Sequence, residues 1–146
     1  NDHEVELAVI IGRGGAKIEA GKAMDHVIGY AIGLDITVRG PEDRSFRKSA
    51  DSYSVVGPYL VTADEIADPH RLDLSLKVDG VVRQKSNTRH LIVNIPDLIS
   101  RASHVYSLHP GDILMTGTPE GVGEILSGSL IEAEIETIGQ MQVQVR

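Results

Sequence analysis

Near its start the chain carries two carboxylates at the entrance to an apolar run. Glu4 and Glu6 lie two residues apart, and residues 7–11 are all apolar. Consecutive apolar residues predict a strand that is buried on both faces, here over about residues 3–13. Because residues i and i+2 of a strand share a face, the two carboxylates point the same way. Like charges at the mouth of a buried strand repel each other and lose hydration, so this strand needs a partner for them.

Two interpretations of this carboxylate pair stay open from its spacing alone. A bound divalent cation would remove both costs, since hard cations prefer oxygen ligands. Alternatively, the first residues of the strand are simply exposed to water, because Glu-x-Glu is also common on exposed strand faces.

A third carboxylate, Asp35, lies in a segment that alternates with period two. One face of residues 27–38 carries the large residues Ile28, Tyr30, Ile32, Leu34, Ile36 and Val38. The other face carries Gly29, Ala31, Gly33, Asp35 and Thr37. The alternation predicts a second strand, and the small residues beside Asp35 let backbone or ligand approach closely. An acid on this face needs a partner, which is either a bound group or a salt bridge at the strand end.

The rest of the chain predicts further short strands and a few short helices. We expect a helix near 19–27, a turn-rich loop over 39–45, an extended segment over 58–62 and a helical turn over 63–66. Residues 72–78 alternate with period two, and Asp79-Gly80 predicts a hairpin into residues 81–84. Pro96 opens an amphipathic helix whose apolar side is formed by Ile99, Ala102, Val105 and Tyr106. A strand from Leu130 to Ile138, a turn at Gly139-Gln140 and a final strand complete the chain. These elements predict a mainly β (α+β) fold, a mixed β-sandwich or roll with a few short helices.

The composition excludes several classes of function. The chain of 146 residues fits a single domain with one core over residues 1–146. A net charge of −7 argues against a nucleic-acid surface. No apolar run approaches the roughly 18 residues of a membrane span, and the absence of cysteine excludes disulfides and a thiolate nucleophile. We therefore expect a soluble, cytoplasmic protein.

An ordered set of motifs resembles the C-terminal catalytic domain of the fumarylacetoacetate hydrolase superfamily. The set consists of Glu4-Val5-Glu6-Leu7, Gly33-Leu34-Asp35, Lys48-Ser49, Gly57-Pro58, Val78-Asp79-Gly80, Gln84, Asn87-Thr88 and the long block over residues 110–123. The resemblance runs from about His3 to Arg146. It implies that Glu4, Glu6 and Asp35 bind Mg²⁺ or Mn²⁺, with Ca²⁺ a possible substitute in crystals, and that Lys48 is catalytic beside the metal. It also implies a β-rich roll and a homodimer.

A glycine-rich loop, which the resemblance places at the active site, and several nearby arginines are candidates for contact with the substrate. The glycines of the 116–123 loop let backbone N–H groups turn toward an anion, and we expect Thr118 to contact substrate. Arg39 and Arg44, and with them Arg47, are candidate clamps for substrate carboxylates, because guanidinium pairs with carboxylate in a bidentate manner. Each of these features has a plainer interpretation, namely a tight structural loop or surface arginines.

The histidines and two departures from the family pattern limit the comparison. His3 points to the face opposite Glu4, so we exclude it from the metal ligands, and we interpret the other five histidines as structural or exposed. Family members usually carry an upstream lid with a His–Glu pair, and we expect that segment to be missing from this sequence. The loop between Asp35 and Lys48 is short for the family, so substrate choice cannot be transferred.

The resemblance thus implies a divalent-metal-dependent enzyme that acts on a small 2-oxo or 1,3-dioxo acid. The cation would chelate the keto and carboxylate oxygens and stabilise an enolate-like intermediate while a C–C bond is hydrolysed, as in acylpyruvate hydrolases. An oxaloacetate-type decarboxylase or a hydroxymuconate-type isomerase would use the same residues. A non-catalytic, metal-binding dimerisation domain is the remaining alternative.

Overall fold

The computed structural model describes all residues, 1–146, and ten strands form most of its regular structure. In chain order the strands are β1 (Asp2–His3), β2 (Val5–Ile11), β3 (Val27–Asp35), β4 (Ser54–Thr62), β5 (Asp73–Val78), β6 (Val81–Asn87), β7 (Ile113–Met115), β8 (Gly123–Glu124), β9 (Leu130–Ile135) and β10 (Gly139–Gln144). The helices are α1 (Arg44–Lys48) and α2 (Ile95–Val105), together with short 3-10 helices at Ala20–His26, Ala63–Glu65 and Thr88–His90. None of the helices has both the length and the apolar character that crossing a membrane requires.

Two four-stranded antiparallel sheets pack face to face. One has the strand order β4-β3-β2-β7 and the other β10-β9-β5-β6, while β1 and β8 form a small separate ladder. Alternate residues of β2 and β3 point into the shared core, where they meet Leu74, Leu76 and Ile135 of the second sheet. The mainly β sandwich with a few short helices is therefore confirmed.

The pairing of β2 with β3 defines the face that carries the acidic residues. In this antiparallel register Glu6 lies opposite Gly33, and Ala8 lies opposite Ala31. The backbone N–H of Asp35 donates to the carbonyl of Glu4 over 2.9 Å, so the two strands remain paired beyond the ladder. The face away from the main core thus carries small residues in its middle and carboxylates at one end.

The predicted turns and helix faces are confirmed in part. Asp79 and Gly80 form the hairpin between β5 and β6, both with positive φ, as a tight two-residue turn requires. The turn predicted at Gly139-Gln140 is wrong, because both residues already belong to β10 and pair with β9. The chain reverses instead around Thr137, which takes φ 62°, while Ile138 packs into the core.

The apolar side of α2 also differs from the predicted one. Asn94 caps the helix by accepting a hydrogen bond from the N–H of Asp97, and Pro96 lies in the first turn as expected. The helix buries Ile95, Ile99 and Ser103, whereas Val105 and Tyr106 are about 70% exposed. Ser103 takes a core position because its hydroxyl oxygen accepts from the N–H of Ile18, a partner that the helical pattern cannot reveal.

Candidate metal centre and active site

Three carboxylates converge where β2 begins and β3 ends. Oxygens of Glu4, Glu6 and Asp35 all lie within 4.8 Å of one another. Glu4 and Glu6 share one face of a strand, and the antiparallel partner brings Asp35 beside them. Glu6 is only 3% exposed and Glu4 8%. The structure thus brings together the three residues that the sequence singles out, although their role as metal ligands stays a prediction.

Lys48 reaches this cluster from α1. Its Nζ donates to Glu4 Oε2 over 2.9 Å and also to Asp35 Oδ2. The helix begins at Arg44 because the side chain of Asp43 accepts from the N–H of Ser45, which caps the first turn. Desolvation lowers the pKa of Lys48, but its hydrogen bonds to Asp35 and Glu4 and their charges outweigh that effect and raise the pKa overall. The lysine is therefore a fixed positive charge at the cluster.

Of the three candidate arginines, one forms hydrogen bonds with a carboxylate of the cluster and two do not. Arg39 donates from Nε to Asp2 Oδ2 over 2.6 Å and from Nη2 to Glu4 Oε1 over 3.2 Å, and its side chain is half exposed. Arg44 is exposed on the first turn of α1 and forms no ion pair, while Arg47 is partly buried. Arg39 is thus the candidate clamp nearest the carboxylates, and substrate binding by Arg39 and Arg44 stays a prediction.

Glu6 has an unusual protonation equilibrium. Burial raises the pKa of its carboxyl from the ordinary 4.5 to about 7, and the charges of Asp35 and Glu4 add to the rise. The backbone N–H of Gly117 opposes it by donating to Glu6 Oε2 over 2.6 Å. The 116–120 loop, which follows β7, is therefore in direct contact with the cluster.

The charges around the cluster fit a divalent cation. When every carboxylate is ionised, Asp2, Glu4, Glu6 and Asp35 bring four negative charges together, and Arg39 and Lys48 supply two positive ones. The deficit of two positive charges equals the charge of Mg²⁺ or Mn²⁺. Carboxylate oxygens are the ligands that such hard cations prefer. The donor set and the charge balance both fit the predicted metal.

Behind the cluster lies a buried polar network that the sequence analysis does not predict. His3 is fully buried and is not among the converging carboxylates. Its Nδ1 lies 3.0 Å from the side-chain oxygen of Gln84, whose amide nitrogen donates to Thr118 Oγ1 over 2.8 Å. Thr118 in turn donates to the carbonyl of Val5 over 2.9 Å. The hydroxyl hydrogen of Thr118 is therefore already used in a hydrogen bond within the protein. The predicted contact of Thr118 with substrate stays a prediction.

A cavity of about 840 Å³ opens beside the 116–120 loop. Its walls combine leucine side chains with two basic residues that have no ion-pair partner. The leucines are Leu7, Leu74, Leu91 and Leu98, and the basic residues are Lys85 and Arg89. Gly117 of the loop both lines this cavity and contacts Glu6, whereas none of Glu4, Glu6, Asp35 and Lys48 lines it.

The chain belongs to the fumarylacetoacetate hydrolase family. The family model for the fumarylacetoacetate (FAA) hydrolase C-terminal domain matches residues 1–146. Among relatives, the chain is 54% identical to a maleylpyruvate hydrolase of Aquipseudomonas alcaligenes over its whole length, which is 51% of that protein. It is 41% identical to an oxaloacetate tautomerase of Rattus norvegicus, with 98% of this chain and 68% of that protein covered. The chain thus spans about half the length of the maleylpyruvate hydrolase.

Solved structures of relatives superpose closely on this fold. A maleylpyruvate hydrolase from Sphingobium sp. SYK-6, in complex with manganese(II) and pyruvate, gives a TM-score of 0.94 at 47% identity over 99% of this chain and 53% of that one. A fumarylpyruvate hydrolase from Pseudomonas aeruginosa, also with Mn²⁺ and pyruvate, gives 0.93 at 36% identity over 99% and 65%. A 2-hydroxyhepta-2,4-diene-1,7-dioate isomerase from Mycobacterium marinum gives 0.94 at 36% identity over 99% and 57%.

The raised pKa of Glu6 predicts how the stability of the metal-free protein depends on pH. A carboxyl whose pKa is higher in the folded state stabilises the fold below its unfolded pKa, and this contribution is lost as the pH rises through the folded pKa. The free energy of unfolding should therefore fall between about pH 5 and about pH 8 by up to roughly 3 kcal/mol. Glu6→Gln should remove this fall.

Urea denaturation of the metal-free protein at several pH values measures the effect. Glu134→Gln is the matched control, since it neutralises an exposed carboxylate on β9 and should leave the pH dependence unchanged. Equal slopes for the wild type and Glu6→Gln would contradict the assignment.

Proposed function

We propose that the protein is a divalent-metal-dependent hydrolase that cleaves a C–C bond of a small 2-oxo or 1,3-dioxo acid of the acylpyruvate type. The observation that carries this proposal is the convergence of Glu4, Glu6 and Asp35 beside Lys48. The identity to a maleylpyruvate hydrolase supports it. Because this chain covers about half of that relative, the activity is proposed for the whole protein.

The proposed metal ligands are Glu4, Glu6 and Asp35, and the proposed cation is Mg²⁺ or Mn²⁺. When bound, such a cation acts as a Lewis acid toward keto and carboxylate oxygens of the substrate. Manganese is the ion present with pyruvate in two structures of relatives, which supports this choice.

Lys48 is the proposed catalytic residue of the chain. Its Nζ is held at the carboxylates by Glu4 and Asp35, so its position is fixed before any substrate arrives. A preorganised positive charge stabilises negative charge that develops on a substrate oxygen, without reorganisation during the reaction. The raised pKa keeps this lysine charged at neutral pH.

Arg39 and the cavity are proposed to select the substrate. The guanidinium of Arg39 is half exposed beside Glu4 and is able to meet a substrate carboxylate at the entrance to the cluster. Arg44 lies farther out on α1 and would contact only a larger substrate. The acyl group then extends along Thr118 into the cavity, where leucines contact its carbon chain and Lys85 and Arg89 offer positive charge.

A second candidate function is oxaloacetate-type chemistry or isomerisation at the same residues. It is favoured by the 41% identity to an oxaloacetate tautomerase and by the fit to an isomerase structure. A non-catalytic role is less well supported, because a domain without chemistry has no physical need for buried carboxylates that repel one another. A cytoplasmic location stays a prediction.

The proposed activity predicts Mn²⁺-dependent loss of fumarylpyruvate or maleylpyruvate, with pyruvate as a product. The full-length protein is assayed by ultraviolet absorbance, with pyruvate measured by a coupled dehydrogenase. Oxaloacetate is the comparison substrate. Loss of oxaloacetate absorbance alone, without cleavage of either acylpyruvate, would contradict hydrolysis and favour the second candidate.

Replacing Lys48 should affect catalysis more than metal binding. Lys48→Ala removes one preorganised charge at the reacting centre, so kcat should fall by roughly 100-fold or more. Mn²⁺ should still bind, because all three carboxylates remain. Steady-state kinetics and Mn²⁺ titration measure the two effects, and Lys22→Ala, which removes an exposed lysine paired only with Glu19, is the matched control. An unchanged kcat would remove lysine from the proposed mechanism.

We also propose that the protein is a homodimer. The face of the β4-β3-β2-β7 sheet that lies away from the main core leaves Val56, Leu60 and Ile113 between one third and one half exposed. Covering them with a second copy would remove this apolar surface from water, and a stable interface buries more than about 1,000 Å². Light scattering at micromolar concentration should give twice the monomer mass, and a monomer mass would contradict the proposal.

A further inference from the structure

The side-chain amide of Gln84 is buried and uses all of its hydrogen-bonding capacity. The residue lies on β6 and is 1% exposed. Its oxygen accepts from the backbone N–H of Val5 over 3.1 Å and meets His3 Nδ1 at 3.0 Å. Its nitrogen donates to Thr118 Oγ1 over 2.8 Å and to the carbonyl of Pro119 over 2.9 Å. One amide therefore joins the start of β2 to the 116–120 loop.

These partners fix the direction of every bond in the network. A backbone N–H only donates and a carbonyl only accepts, so the oxygen of Gln84 faces Val5 and its nitrogen faces Pro119. The opposite orientation would place N–H against N–H and oxygen against oxygen. It follows that His3 donates from Nδ1, while its buried Nε2 has no partner.

The network lies where regular strand pairing of β2 ends. β7 pairs with β2 only from Ala8 to Ile10. Beyond that point Thr116 donates to the carbonyl of Leu7, and Gln84 and Thr118 bind the N–H and the carbonyl of Val5. Beyond the end of β7, side chains thus supply hydrogen bonds to the backbone of β2 that a paired strand would otherwise supply. They do so as far as Val5, the residue between the two glutamates.

We propose that Gln84 is a positioning residue for the metal centre. It fixes Val5, and with it the backbone that carries Glu4 and Glu6. It also fixes the 116–120 loop, whose Gly117 N–H holds the carboxylate of Glu6. The ligand strand and the donor that orients one ligand are therefore tied to the same amide. The inference rests on the proposed function, because it requires that the carboxylates bind a cation.

The test separates positioning from a purely structural role through metal affinity. Gln84→Met keeps the length of the side chain and removes its polar atoms. The apparent Kd for Mn²⁺, measured by calorimetry on the full-length protein, should rise by about tenfold or more, the usual effect of losing a group that orients ligands. Thermal melts of the same samples report the loss of stability.

Ser103→Ala is the matched control for lost stability. Ser103 is 2% exposed, and its hydroxyl accepts from the N–H of Ile18 and donates to the carbonyl of Ser100. The control variant should melt at a lower temperature and keep the wild-type Kd for Mn²⁺. A Kd for Gln84→Met within about twofold of the wild type, with a similar loss of stability, would overturn the inference.

Gln84→Glu provides a test in which charge and positioning act in opposite directions. It keeps the acceptor oxygens, loses the donors to Thr118 and Pro119, and adds a negative charge near the cluster. Charge alone would tighten Mn²⁺ binding, so tighter binding overturns the inference and weaker binding supports it. If Gln84→Met does not fold, Thr118→Val decides by the Kd criterion used for Gln84→Met.

The wild-type titration distinguishes failure of the role assigned to Gln84 from failure of the proposed function. Wild-type protein that binds Mn²⁺, together with unchanged variants, overturns only the role of Gln84. Wild-type protein that binds no Mn²⁺ overturns the role of Gln84 and the proposed function together.

Discussion

The antiparallel pairing of β2 with β3 brings three carboxylates to within 4.8 Å of one another: Glu6 of β2, Glu4 just before that strand, and Asp35 at the end of β3. Two like charges about 4 Å apart repel by roughly 4 kcal/mol at an effective dielectric constant of about 20. If all three carboxylates were ionised, the three pairs together would therefore cost about as much as the net stability of a typical domain. Backbone pairing that is anchored in the main core holds the charges in place, and the surroundings of the cluster are arranged to offset their repulsion.

The compensating groups come from separate parts of the chain, and each acts in a different way. Lys48 and Arg39 supply positive charge to Glu4, and Lys48 also to Asp35. Glu6 accepts a hydrogen bond from a neutral donor, the N–H of Gly117, and its pKa is raised to about 7 although the charge of Lys48 lowers it in part. Burial is the main cause of this rise, since Glu6 is the most buried of the three carboxylates. It also makes Glu6 the ligand for which a bound cation would change the environment most.

Period-two alternation and turn chemistry were sufficient to predict most of the strands, because both are local. The strands over 27–35 and 73–78 and the hairpin at Asp79-Gly80 follow from neighbouring residues alone. The reversal at Thr137 was missed because a glycine two residues later offered the more usual turn residue. The buried face of α2 was misjudged because it includes Ser103, which is satisfied by a distant partner.

At the candidate site, the sequence predicted the groups that converge but not the groups that hold them. Glu4, Glu6 and Asp35 follow from strand geometry, and Lys48 follows only from the family resemblance. The pairing of Arg39 with Asp2 and the role of Gln84 depend on contacts 37 and 79–81 residues apart in the chain. Gln84 lies opposite Leu76 only because the register of the β5–β6 hairpin shifts between Leu76 and Lys77, and the local sequence does not reveal this shift. An amide at an apolar position needs polar partners, but local sequence does not identify them.

Lys48 is brought to the site by the same charges it compensates. Its helix, α1, has no buried residue, and Phe46 in its centre is largely exposed, so core packing does not hold the segment in place. The helix is tied to the sheet by the backbone bond from Val38 to Arg47 and by the contacts of Lys48 with Glu4 and Asp35. The position of α1 therefore depends on the charge of the cluster, and any ligand that alters that charge acts directly on the proposed catalytic lysine.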